Sequence, residues 1–157
     1  MSETPAPATL LFVDDEPSIL SALRRLFRPH GYRILVAESG AAGLAILEQE
    51  TVDLIISDMR MPEMDGATFL KQARSRWPGT VRILLTGYAD VTSTVAAINE
   101  GEIYRYIAKP WDDTEIVNTV RDALERQRLE SENKRLTALA QAQNEELKAL
   151  NAELKQK

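Results

Sequence analysis

The chain has 157 residues, 44% of them hydrophobic, enough for one domain with a packed core and an appendage. Acidic residues outnumber basic ones by 24 to 19, and the net charge of −5 argues against nonspecific nucleic-acid binding through bulk charge. Cysteine is absent, which excludes disulfides and thiolate metal sites, and no apolar run approaches the roughly 20 residues of a membrane span.

Residues 1–8, with Pro5 and Pro7 among small residues, read as a disordered lead-in. They lack the basic and apolar regions of a signal peptide, so a cytoplasmic protein is expected. Thr9 to Val13 reads as a short apolar strand, ended by Asp14-Asp15-Glu16-Pro17. Pro17 suits the first turn of a helix, on which Ile19, Leu20, Leu23, Leu26 and Phe27 recur at helical spacing until Gly31. Tyr32 to Val36 is a second strand, and Ala41 to Gln49 a helix with Leu44 and Leu47 inward. Asp53 to Ser57 is a third strand. Its Leu54-Ile55-Ile56 run is too short for a helix and reads as buried on both faces. It stops at Asp58, before a loop with Pro62 and an Asp65-Gly66 turn signal. Ala67 to Arg76 is a helix with Phe69, Leu70 and Ala73 on one face, broken by Trp77-Pro78-Gly79. Val81 to Leu85 is a strand ending at Thr86-Gly87, Val91 to Asn99 a helix ending near Gly101, and Ile103 to Ile107 a strand ending at Lys109-Pro110. From Asp112 onward the chain reads as uninterrupted helix.

This alternation predicts an α/β fold, a doubly wound five-stranded parallel sheet with helices on both faces. The carboxyl ends of its strands lie on one edge, where open α/β sheets bind ligands, and there carry Asp14-Asp15, Asp58, Thr86 and Lys109. Taken singly, each has an ordinary explanation. Asp58 would be a turn residue, Asp14 and Asp15 helix caps, Thr86 a turn hydroxyl and Lys109 a solvated lysine. Taken together, three carboxylates in one cleft repel unless a cation is bound, and their hard oxygens suit Mg²⁺. A lysine and a hydroxyl nearby suit an anion's oxygens, so the set fits phosphoryl transfer, with Asp as a possible nucleophile.

The motifs Phe12-Val13-Asp14-Asp15-Glu16-Pro17, Ser57-Asp58-Met59-Arg60-Met61-Pro62 with Met64-Asp65-Gly66, Leu85-Thr86-Gly87 and Tyr106-Ile107-Ala108-Lys109-Pro110 resemble those of the receiver domain of two-component response regulators. The resemblance covers residues 9 to about 125 and implies a flavodoxin-like strand order of 2-1-3-4-5. It implies that Asp58 accepts a phosphoryl group from a histidine kinase. It also implies that Asp14, Asp15, Asp58 and the Arg60 backbone carbonyl hold Mg²⁺. Thr86 and Lys109 would bind the phosphoryl oxygens, and the Lys109-Pro110 peptide would be cis. On phosphorylation Thr86 would move toward the phosphoryl group and Tyr106 would turn inward, altering the surface formed by residues 91–99, strand 103–107 and the following helix. From strand propensity alone, Tyr106 is a half-buried strand aromatic. Arg60 and Tyr88 each lie two residues after a motif residue, Asp58 and Thr86. Both are expected to obstruct the water that attacks the acyl phosphate, giving a phosphorylated lifetime of many minutes; otherwise both side chains point to solvent.

The expected domains are a tail over 1–8, the receiver over 9–127 and a coiled-coil helix over 128–157. The helix carries Asn133, Ala140, Leu147 and Leu154 at a positions and Leu129, Leu136, Gln143 and Leu150 at d positions of a coiled coil. Asn133 at a favours a parallel homodimer and fixes its register, while Ala140 and Gln143 weaken the middle. A basic leucine zipper is not supported, because Arg121 to Arg128 also holds Asp122 and Glu125, so direct nucleic-acid binding by this segment is not expected. His30 reads as a surface residue. In receiver proteins such a helix connects to an output domain, so the sequence is expected to be part of a longer protein. The Ile103 to Asp113 segment resembles receivers coupled to phosphodiesterases of the HD-GYP type. A turnover phosphatase with an Asp nucleophile would need an acid where Arg60 stands. The remaining alternative is a constitutive dimeric adaptor with an idle acidic site.

Overall fold

The computed structural model describes residues 7–87 and 103–155. The expected helix over 91–99, together with Tyr88 and Gly101, lies outside the described residues. In chain order the elements are β1 (Thr9–Val13), α1 (Pro17–Phe27), a 3₁₀ turn (Arg28–His30), β2 (Arg33–Ala37), α2 (Gly40–Gln49), β3 (Leu54–Asp58), α3 (Gly66–Arg76), β4 (Val81–Thr86), β5 (Arg105–Ala108) and α4 (Asp113–Lys155).

All four strand pairings are parallel, and the five-stranded sheet has the order β2-β1-β3-β4-β5. This is the doubly wound, flavodoxin-like order that the sequence implied. Every residue of β1 and β3 is buried, because these central strands are covered on both faces and can afford no polar side. On one face Leu11, Val13, Ile55 and Leu84 pack with Leu47 of α2 and Phe69 and Leu70 of α3. On the other, Leu10, Phe12 and Ile56 pack with Leu23 and Phe27 of α1 and with Ile116 and Val120 of α4. The Phe12 and Phe27 rings lie 5.5 Å apart in a tilted pair. The chain divides into two compact units between Leu124 and Glu125, each described by itself.

Element boundaries differ from the sequence reading by one or two residues, with physical causes. Helix α1 gives way to the 3₁₀ turn at Arg28, before Gly31 closes the segment with a φ of 81°. Asp65-Gly66 is not a free turn: Asp65 caps α3 by accepting the Thr68 N–H at 2.7 Å, and Gly66 is the first helical residue. Strand β5 begins at Arg105, which pairs with Ile83 of β4, one residue after the Tyr104 N–H donates to the Arg82 carbonyl at 2.7 Å.

Helix α2 approaches α3 and the sheet through Gly43. A Cβ there would stand 2.8 Å from Phe69 Cζ and 3.2 Å from Val13 Cγ2, both in the core. Gly43→Ala is therefore expected to overpack the core and lower stability by about 1–3 kcal/mol in urea titration, with Phe69→Leu in the same chain recovering part of the loss.

Candidate functional site

The sheet register assembles the site. Val13 pairs with Ser57, so Asp14 and Asp58 end adjacent central strands side by side. Asp58 pairs with Leu85, and Thr86 with Ala108, so Thr86 and Lys109 follow at the same edge. The Lys109 backbone N–H donates to the Thr86 carbonyl at 2.8 Å. Four segments distant in sequence are thus brought to one edge by strand pairing alone.

Asp14 is fully buried. Its Oδ1 accepts the Glu16 N–H at 2.9 Å, so it orders the start of α1 while Glu16 occupies the cap position. Asp15 is exposed. One carboxylate oxygen from each of Asp14, Asp15 and Asp58 lies within 4.8 Å of the others. The Lys109 ammonium reaches Asp58 Oδ1 at 2.8 Å and Asp14 Oδ2 at 3.4 Å. Burial pushes the Asp14 carboxyl up from 3.8 to about 6; the Glu16 N–H and the Lys109 ammonium oppose this, and the Asp58 charge adds to it. Burial works against the Lys109 charge, but its bonds to Asp58 and Asp14 outweigh that and raise its pKa.

These donors fit a hard divalent cation: they are oxygens only, they cluster, and one is a buried carboxyl whose ionisation is costly without a compensating charge. Mg²⁺ held by Asp14, Asp15 and Asp58 would supply charge neutralisation for a phosphoryl group. The Thr86 hydroxyl is buried, and its oxygen has no hydrogen-bond partner among the described residues. An unsatisfied buried hydroxyl at this edge suits an incoming oxyanion.

The loop after β3 is tightly closed. Gly66 N–H donates to Met59 O at 2.7 Å, and a Cβ on Gly66 would overlap the Asp58 carbonyl oxygen. Glu63 takes a left-handed φ of 69°, and a Cβ on Gly40 would stand 2.7 Å from Met64 Sδ. Gly40 and the Met64 contact were absent from the sequence reading. Only the glycine offered a signal, and it had no partner until α2 met the loop. Arg60 is exposed in this loop, Tyr88 lies outside the described residues, and Tyr106 on β5 is 37% exposed. The Lys109-Pro110 peptide is cis, as the resemblance implied.

An open parallel sheet with clustered carboxylates and a lysine at its carboxyl edge defines an acidic-pocket α/β domain. The model of the response regulator receiver domain matches residues 10–121, and the chain belongs to that family. It is 43% identical over 129 residues to the hydrogenase transcriptional regulatory protein HoxA of Cupriavidus necator, covering 82% of this chain and 27% of that protein. It is 41% identical over 119 residues to the transcriptional regulatory protein GlrR of Escherichia coli, covering 76% and 27%. The chain thus spans about a quarter of the length of the curated relatives it matches. Among solved structures, the signal receiver domain of an HD domain-containing protein from Pseudomonas fluorescens matches with a TM-score of 0.78 and 42% identity, covering 84% of this chain and 97% of that one. A CheY-like receiver domain protein from Methanospirillum hungatei gives a TM-score of 0.75 at 30% identity, covering 79% and 98%. Receiver domains are signalling modules, not classical enzymes, and generally bind Mg²⁺ at an acidic site. Response regulators receive phosphate from histidine kinases and have output domains. Among the described residues, no helix is long and apolar enough to cross a membrane.

The Asp14 carboxyl yields a pH prediction for the metal-free protein. Between 3.8 and about 6 the folded chain keeps a proton that the unfolded chain releases, so stability falls as pH rises through this interval. The penalty at neutral pH is on the order of 2–3 kcal/mol. Asp14→Asn is expected to remove it, raising the urea midpoint at neutral pH and flattening the pH dependence below it. An unchanged midpoint would show that the carboxylate carries no such cost.

Proposed function

We propose that Asp58 is the phosphoacceptor of this receiver and that Asp14, Asp15 and the Arg60 carbonyl join it in holding Mg²⁺. The observation that carries this reading is the Lys109 ammonium placed 2.8 Å from Asp58 and 3.4 Å from Asp14. A carboxylate oxygen of Asp58 attacks the phosphorus of a phosphohistidine. The oxygen–phosphorus bond forms as the phosphorus–nitrogen bond breaks, and the electron pair returns to the imidazole, which takes up a proton. Lys109 holds a phosphoryl oxygen as its charge develops. Thr86 then finds the partner that its buried hydroxyl lacks. Its shift opens space for Tyr106, which turns inward from its half-exposed position on β5 and changes the face that a partner meets. The partners are a cognate histidine kinase, an output domain and a second copy bound through the leucines of α4. The alternative, an idle acidic site in an adaptor, leaves the buried Asp14 carboxyl and the unsatisfied Thr86 without a purpose.

With a small acyl phosphate donor and Mg²⁺, the chain is expected to incorporate phosphoryl groups measurable by intact mass. Asp58→Asn, isosteric and without a nucleophile, is expected to incorporate none. Incorporation undiminished in Asp58→Asn would remove Asp58 from the role.

Arg60 and Tyr88 are read as shielding the acyl phosphate from water, for a lifetime of many minutes. Arg60→Ala is expected to shorten the half-life followed by mass spectrometry after donor removal. A wild-type half-life of seconds would discard the shielding role.

A further inference from the structure

The loop from Asp58 to α3 is tied back on itself. Met59 N–H donates to Leu85 O at 2.9 Å, and Gly66 N–H to Met59 O at 2.7 Å. Between these ties the Met64 N–H donates to the Pro62 carbonyl at 2.7 Å and closes a three-residue turn about Glu63. Among the described residues Glu63 is the one non-glycine with a positive φ, 69°. A side chain disfavours that conformation, which persists only where the surroundings impose it. Pro62 and Glu63 are both exposed, so their own packing does not impose it.

The packing lies on either side of them. Met61 is buried, and half-buried Met64 packs against the core cluster that holds Met59, Met61 and Leu47 of α2. Met64 also lies against Gly40, the first residue of α2. A Cβ on Gly40 would stand 2.7 Å from Met64 Sδ, 3.2 Å from its Cγ and 3.4 Å from its Cβ. The φ of Gly40 is not positive, so its backbone does not require a glycine; the room that Met64 occupies does. Ser39 caps α2 by accepting the Ala42 N–H at 3.1 Å, which fixes Gly40 at the start of the helix.

Arg60, read as a cation ligand through its carbonyl, stands between Met59, tied to β4, and the buried Met61. We propose that Met64 is a positioning residue for the cation site: seated against Gly40, it keeps Glu63 in its unfavourable turn, and the turn keeps the Arg60 carbonyl in reach of the cation. The inference rests on the reading of Asp14, Asp15, Asp58 and Arg60 as the Mg²⁺ site. A ligand set loses affinity when the groups that orient it are lost, even though every ligand remains. An anchor that serves to hold Glu63 becomes dispensable in Glu63→Gly, where a positive φ carries no steric cost.

The test measures Mn²⁺ binding by the full chain from the electron paramagnetic resonance of the free ion, since Mn²⁺ takes the same octahedral oxygen sites as Mg²⁺. Met64→Ala is expected to weaken binding about tenfold, the low end of what loss of an orienting group costs. In the Glu63→Gly background the same substitution is expected to weaken it less than about twofold. Gly40→Ala, which leaves Met64 in the chain but takes its seat, is expected to weaken binding in the same direction and to add nothing to Met64→Ala. It carries the Glu63→Gly comparison if Met64→Ala does not fold. Gly43→Ala, which overpacks the same core cluster away from the loop, is expected to lower stability and leave Mn²⁺ affinity unchanged. Equal losses with and without Glu63→Gly, no loss in either background, or a matching loss in Gly43→Ala would overturn the inference and leave the metal site standing. A wild-type chain that binds no Mn²⁺ would overturn the metal reading and the inference with it.

Discussion

Two carboxylates held side by side at the ends of adjacent buried strands repel each other, and much of the site answers that repulsion. Asp14 and Asp58 cannot separate, because the β1–β3 register that places them also holds the centre of the core. One ammonium, Lys109, reaches both, and the third carboxylate, Asp15, makes the edge acidic again. Among the described residues one ammonium thus faces three carboxylates, a shortage of positive charge that a divalent cation would relieve. The raised Asp14 pKa is the energetic mark of that shortage.

The geometry around Asp58 is kept by close backbone approaches. The Ser57 hydroxyl donates to the Asp58 carbonyl at 3.0 Å, Met59 N–H to Leu85 O at 2.9 Å, and Gly66 N–H to Met59 O at 2.7 Å. Asp65 then starts α3 at once, so the loop has little slack. Thr86 is the exception: it is buried, polar and without a described partner, in surroundings where nearly every other buried polar group is satisfied.

Helix α4 obeys different rules in its two units. Ile116, Val120 and Ala123 are buried within the receiver core, and their packing holds that stretch. Beyond Leu124, the side chains of Leu129, Leu136, Leu139, Leu147, Leu150 and Leu154 are exposed. There helix propensity and i,i+3 and i,i+4 pairs such as Arg128 with Glu125 and Glu132 favour the helix. The same covalent helix thus buries its apolar residues in one unit and exposes its leucines in the other.

Hydrophobic periodicity and turn residues in the sequence determined the alternation of strands and helices, and the motifs determined the family. Both signals are local, since a buried strand must be apolar throughout and a helix must show its period. The candidate site was legible as a set of residue types at strand ends. Its distances were not, because which oxygen Lys109 meets, how far Asp14 is desolvated and whether Thr86 has a partner depend on the register between strands. Nor could the sequence show that Asp65 caps a helix, that Gly43 admits Phe69, or that Gly66 must lack a side chain beside the Asp58 carbonyl. Those facts arise only when segments distant in the chain pack to van der Waals contact, and close packing has no signature in a single stretch of sequence.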